Sequence, residues 1–308
     1  MSKELLKTAF DKMKNMSCCS LQLIKIKSGK TGISYYTREC ELTPPGKIGS
    51  FAHELADKYS KAIEDGKYAS VDEYTGDIVG NVIYKLEGEN ALISEAYGQL
   101  RKELANPDTE GRINDTKFNA YMLLGEVELG SETVPIKFIS MQSPMMNMKN
   151  KFWFKIERNA FREIDEPILN LKKSIDVVIL KDTIYMLTLA GENLFAMERA
   201  YKAVCNNKVN EIIECGFLTD EAVFQKIATS GQNPRRFVAY NQSRLEAMKN
   251  VSKRKKLAKM FNLKLSGSNI DTNDEKTATR LVKFLCNKAM LDPLNDSPVE
   301  VAAAKSWQ

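Results

Sequence analysis

Histidine is almost missing from this sequence: His53 is the single one among 308 residues. Any mechanism built on a histidine base, a histidine-rich metal site or a His/Asp phosphotransfer pair would rest on that one side chain. The six cysteines, Cys18, Cys19, Cys40, Cys205, Cys215 and Cys286, show no CxxC spacing. That excludes a zinc knuckle or a thioredoxin-like motif and suits reduced thiols in a cytosolic protein. No run of about 18 apolar residues free of charge is present, and the opening MSKELLKTAFDKMKNM lacks the apolar core of a secretory signal. The expectation is a cytoplasmic chain that neither spans a membrane nor is exported. Internal repeats and low-complexity tracts are lacking as well.

Familiar catalytic frames also fall short. GKTG at Gly29–Gly32 is a fragment of a phosphate loop without its frame, since Leu23 and Ile24 stand six and five residues before Gly29, and it reads better as a hairpin turn. His53 and Glu54 open HELAD rather than HExxH, with Asp57 at the place of the second metal ligand, which excludes a zincin site. Asp176, Asp182 and Glu192 lie near a strand pair and could form a metal-dependent nuclease centre, but no ExK follows a strand there. Glu157, Glu163, Asp165 and Glu166 read as helix or loop surface. The expectation is no catalytic set, no metal, no cofactor and no small-molecule substrate.

What the chain does have is a core. With 43% hydrophobic residues it can fill one large or two ordinary domains. Leu5, Leu6, Ala9, Phe10 and Met13 recur at helical spacing, LQLIKIK and ISYYTREC flank the GKTG turn as a hairpin, and a break at Pro44, Pro45 and Gly46 precedes a helix over Ile48–Glu64. Tyr74–Lys85 reads as a turn plus a strand, Leu86–Leu104 as a helix, and Asn106–Gly111 as a loop. FNAYMLLGEVEL and TVPIKFISM, separated by Gly130 and Ser131, form a second hairpin. SPMMNMKNKFWFKIERNAFREI is either a strand packed on the core or a binding surface. SIDVVIL and TIYMLTL, turning at Lys181 and Asp182, predict a third hairpin, and Glu192–Val204 an amphipathic helix with Leu194, Met197, Ala200 and Tyr201 on one face. More helices follow at Val209–Cys215, Asp220–Ala228 and from Pro234 onward. A last one over Glu275–Lys288 is capped by Asn273, with Pro293 and Pro298 beyond it. The fold class is therefore α+β, strand-richer in an N-terminal domain (1–162) and helix-richer in a C-terminal domain (163–308) that contains a short strand pair.

Net charge is only +5, so its distribution carries the information. Between Pro234 and Lys264 stand Arg235, Arg236, Arg244, Lys249, Lys253, Arg254, Lys255, Lys256, Lys259 and Lys264, opposed by Glu246 alone. That local balance of +9 leaves −4 for the rest of the chain. Phe237, Val238, Leu245, Met248, Leu257, Met260 and Phe261 recur at roughly helical intervals, predicting helices that bury one stripe and present a basic face. Ser252 is placed to cap a helix whose first turn holds Lys253–Lys256, where cations oppose the helix dipole. An ordinary charge run is a solvated face. Here so few acids stand nearby that nucleic acid or another polyanion is the stronger reading, driven by counterion release at each neutralised phosphate. Tyr240 and Asn241 could add stacking or polar contacts, or serve as core and turn.

The order IDVVILKDTIYMLTLAG, ENLFAMERAYKAV, SKRKKLAKMF and LVKFLCNKAMLDPLNDSPVEVAAAKSW, spanning Asp165 to Trp307, resembles the family of the Kiwa anti-phage protein KwaB. The N-terminal half matches no motif. The resemblance implies a cytosolic bacterial defence protein that binds DNA, forms a homodimer or higher homo-oligomer, and acts with a small integral-membrane partner, KwaA, at the inner face of the membrane to block phage DNA replication and transcription. It supplies no catalytic residues. The nucleic-acid-binding candidates, Arg235, Arg236, Arg244, Lys249, Lys253, Arg254, Lys255, Lys256 and Lys259, come from charge distribution alone. Two other readings stay open: a metal-dependent nuclease, and a scaffold docking on a membrane protein or an anionic membrane surface.

Overall fold

Leu6, Ala9, Phe10 and Met13 share one helix face, and all four are buried, so Lys3–Met13 folds as helix α1 against the sheet rather than alone in water. The sheet begins with the expected hairpin, β1 (Ser20–Gly29) and β2 (Gly32–Cys40), paired from Leu21↔Cys40 to Gly29↔Gly32. Then come α2 (Lys47–Glu64), β3 (Ser70–Glu73), β4 (Val82–Glu87), α3 (Ser94–Ala105), β5 (Ala120–Leu129) and β6 (Glu132–Met141). A two-residue turn closes β5 onto β6, and Gly130 supplies its left-handed backbone at φ 68°. After the ribbon β7 (Phe154–Glu157) and β8 (Ala160–Glu163), strands β9 (Val177–Leu180) and β10 (Thr183–Met186) turn at Lys181 and Asp182, with Lys181 at φ 56°. The computed structural model describes residues 3–13, 20–29, 32–40, 47–76, 81–109, 118–142, 154–157, 160–163 and 170–301. The Pro44–Gly46 break, the loop at Gly111, the methionine-rich start of the segment after Gln142, Asp165, Glu166, Cys18, Cys19 and the middle of the GKTG turn lie outside the described residues.

The first unit comprises Met1–Glu73 and Asn81–Ala196. Its eight-stranded sheet has the order β2-β1-β5-β6-β9-β10-β4-β3, antiparallel except for the β3–β4 pair. One face carries the core of α1, α2 and inward residues such as Leu23, Tyr121, Phe138, Val178 and Tyr185. VVIL and TIYM are buried at every position, as strands covered on both faces must be. They pair outward with β6 (Ile136↔Leu180) and β4 (Ile184↔Leu86). That pairing moves the division of the chain from the expected 162/163 to Ala196/Met197, because the strand pair completes the N-terminal sheet. The expected helix over Leu86–Leu104 is instead the end of β4 followed by α3.

The second unit comprises Met197–Gln308 with Tyr74–Gly80. The helix expected from Glu192 is broken at Ala196, where φ is 48°, into α4 (Ala190–Leu194) and α5 (Met197–Glu214), and α5 also absorbs the helix expected at Val209. There follow α6 (Glu221–Ala228), α7 (Asn233–Arg236), α8 (Gln242–Lys249), α9 (Val251–Met260), the ribbon β11 (Leu265–Ser266) and β12 (Asn269–Ile270), α10 (Glu275–Leu285), and the hairpin β13 (Ala289–Leu291) and β14 (Pro298–Glu300). Their shared core includes Phe217, Phe224, Phe237, Leu245, Met248, Phe261 and Phe284. Asp274, not Asn273, caps α10 by accepting from the Thr277 N–H. Tyr74 and Gly76 are buried in this unit. Gly76 has φ 79°, and a Cβ there would stand 2.5 Å from the Arg235 carbonyl oxygen, so only glycine fits. The architecture is α+β, with strands concentrated in the N-terminal half and helices in the C-terminal half.

Candidate nucleic-acid interface

The basic stretch folds as α7, a 3-10 turn at Phe237–Ala239, α8 and α9. Asn250 stands alone between α8 and α9. Its extended backbone ends the first helix, and its side chain accepts from the Lys253 N–H at 3.0 Å, so Asn250 rather than Ser252 caps α9. Leu245, Met248, Ala258 and Phe261 turn inward, with Leu257 and Met260 half-buried beside them. The amphipathic reading therefore holds, but the cations do not all lie on the outer face.

Arg254 is 5% exposed and lies within the unit. Its Nη1 donates to the Met248 carbonyl at 2.7 Å and to that of Lys249 at 3.4 Å, its Nε to the Ser268 carbonyl at 2.8 Å, and its guanidinium lies over the Phe217 ring. The acceptors on α8 are last-turn carbonyls without a helical partner, which a guanidinium fork satisfies with the correct sign for the helix dipole. Desolvation by burial lowers the Arg254 pKa, and the carbonyls hold the charge in place. Arg254 is thus a cap of α8, and its place among surface contacts is corrected by its burial. Arg244 is also committed inward: its Nη1 donates to the carbonyls of Phe284 (2.5 Å) and Ala289 (3.1 Å), and it stacks on Phe284.

Other candidates are partly neutralised. Arg236 bonds Asn233 at 2.6 Å and lies 3.7 Å from Glu300; Arg235 stacks on the Tyr201 ring at 5.5 Å. Lys249 pairs with Glu246 at 2.7 Å, which raises its pKa, and Lys264 pairs with Asp274 at 3.3 Å. Lys253, Lys255, Lys256 and Lys259 remain. All four are exposed, and among the described residues no carboxylate lies within ion-pair distance of any of them. At 3.6 residues per turn they occupy an arc of about 160° on α9, opposite buried Arg254 and Ala258. Four lysines on one short helix, fixed to the core by the other face, form an open cationic surface.

The carboxylates weighed as a nuclease centre take separate partners. Asp176 is buried and accepts from the Met141 N–H and the Thr188 hydroxyl, whereas Asp182 pairs with Arg101 at 3.1 Å on the β9–β10 turn. Among the described residues no three His, Cys, Asp or Glu side chains are grouped to hold a metal ion. Likewise no described helix is long and apolar enough to cross a membrane. The sequence reading passed over Arg280 and Lys283 on α10, whose i, i+3 spacing next to an apolar helix stripe was the available signal.

Comparison with curated proteins and with solved structures gave no match. A family profile described as Kiwa protein KwaB-like matches residues 119–295, which reach further toward the N-terminus than the motifs quoted above. The matched stretch begins at β5, takes in the lysine face of α9, and covers more than half of the 308 residues. This chain therefore belongs to the Kiwa protein KwaB-like family.

Proposed function

We propose that this anti-phage defence protein acts as a DNA-binding effector, with the lysine face of α9 as its contact to the phosphate backbone. The observation that carries this reading is the separation within the charge cluster: Arg244 and Arg254 serve the fold, while Lys253, Lys255, Lys256 and Lys259 stand exposed with no ion-pair partner among the described residues. A lysine in the first turn of a helix opposes its dipole, so the presence of Lys253 there costs a few tenths of a kcal/mol that a polyanion would offset. The protein acts by binding rather than cutting, at the inner face of the membrane with the integral-membrane partner KwaA, and restrains phage DNA replication and transcription. A homodimer or higher homo-oligomer raises the avidity of so small a face.

The experiment is an anisotropy titration of labelled duplex DNA with the full chain and with a variant carrying Lys253→Glu, Lys255→Glu, Lys256→Glu and Lys259→Glu. Binding is expected to vanish in the variant while its circular dichroism is retained. Equal binding by both proteins overturns the assignment. Clean cutting of DNA on addition of Mg²⁺ or Mn²⁺ overturns the non-catalytic part.

A further inference from the structure

Beside the C-terminal end of α9 the second unit holds a pocket of about 210 Å³. Phe261, Pro298 and Val299 give it an apolar wall, and Arg280, Lys283 and Lys288 bring three cations to it, against the single carboxylate of Glu300. Lys288 is 3% exposed, so one of these charges lies deep in the wall. Arg280 is exposed and fixed by one bond, 2.8 Å to the Asn262 carbonyl, which leaves most of its five N–H donors available. Lys283 is held 2.6 Å from Glu300, which also lies 3.7 Å from Arg236. Glu300 is thus an internal anion shared among cations at the rim of an open pocket.

We infer that this pocket binds a phosphomonoester carried on a nucleoside, with Arg280 and Lys283 on the phosphate and the apolar wall against the sugar or base. The volume lies below the roughly 300 Å³ at which sites for drug-sized ligands begin, so the pocket takes the phosphate with its adjoining sugar and leaves the base at the open mouth. The chemistry argues for phosphate, because a guanidinium fork beside an ammonium matches its oxygens. Phe261 and Asn262 directly follow the α9 segment that bears the four lysines. A strand lying on α9 could therefore place its terminal phosphate here, so this reading deepens the DNA-binding one, while a free mononucleotide would use the same pocket alone.

The test uses the full chain. Titration calorimetry with AMP and with adenosine is expected to show AMP binding about tenfold or more tightly, the value of a charge-assisted contact. Arg280→Gln with Lys283→Gln should abolish that difference. Glu300→Gln removes the resident anion and should tighten AMP severalfold, a gain that misfolding cannot mimic. Equal affinity for AMP and adenosine, binding of neither, or no gain in Glu300→Gln overturns the inference. A second arm compares 5′-phosphorylated with 5′-hydroxyl oligonucleotides: a preference for the phosphorylated strand assigns the pocket to strand ends, and no preference restricts it to free mononucleotides. The four-lysine variant should still bind AMP, so loss of the DNA reading leaves this one standing.

Discussion

The Arg254 guanidinium donates to the Met248 carbonyl across the corner between two helices, 2.7 Å away. A run written KRKK therefore contains three side chains that meet solvent and one that closes a helix end. Replacing Arg254 by alanine should leave the α8 carbonyls and that of Ser268 unsatisfied and cost about 2–3 kcal/mol of stability, the range for hydrogen bonds to a charged group. Replacing it by lysine should recover only part, since an ammonium cannot reproduce the fork. Chemical denaturation of the two variants checks both, and an Arg254→Ala protein as stable as the parent would remove the capping role.

Counting exposed lysines rather than all basic residues changes the expected salt dependence. Four phosphate contacts give a slope of about −3.6 in log K against log salt, and so about a hundredfold loss of affinity between 50 and 200 mM salt. Nine or ten contacts would give a slope near −9. Titrations across a salt series distinguish the two, and a dimer engaging both faces should double the smaller slope.

The described thiols are poor nucleophiles. Burial pushes Cys205 up to about 12 and moves Cys40, Cys215 and Cys286 upward as well, so each holds less thiolate near neutrality than a free cysteine. Cys205 and Cys286 should resist maleimide at pH 7 in the native protein and react once it is unfolded, as read by peptide mass. Rapid native labelling of either would contradict the packed core.

Asp274 is held below the usual carboxylate range first by its bond from the Thr277 hydroxyl and then by the Thr277 N–H and Lys264. A depressed folded value stabilises fully above the unfolded value near 4 and is lost as pH falls through the folded one. Acid should therefore loosen the start of α10, and Asp274→Ala should lower the stability at pH 7 as a lost cap. Thermal melts between pH 2 and 7 should show a smaller acid-dependent decline in the variant.

Local elements were legible because their signals are local. Alternation and two-residue turns located the β1–β2, β5–β6 and β9–β10 hairpins, and the 3.6-residue period located α1, α2 and the basic helices. The membership of β9 and β10 was not legible, since Ile136↔Leu180 and Ile184↔Leu86 join residues far apart in the chain. Charge density drew attention to the segment from Pro234 to Lys264 but could not rank its members. Lysine and arginine count alike in sequence, yet the guanidinium can be buried against carbonyls while four lysines on the same helix stay wet. Asn250 and Ser252 are equally suited to cap a helix, and the choice turned on which backbone was extended.

Strands β3 and β4 are parallel neighbours joined by a short connection. Neighbouring parallel strands normally need a crossover of a dozen residues or more, but here only the stretch from Tyr74 to Asn81 intervenes, and its residues Tyr74 and Gly76 are buried in the second unit. The polypeptide accordingly passes from one unit to the other three times, at 73/74, 80/81 and 196/197. A gene fragment starting at Met197 would encode the lysine helix without the plug that Gly76 seats against Arg235. Grafting the lysine helix with its core onto another scaffold would have to carry the distant segment 74–76 along.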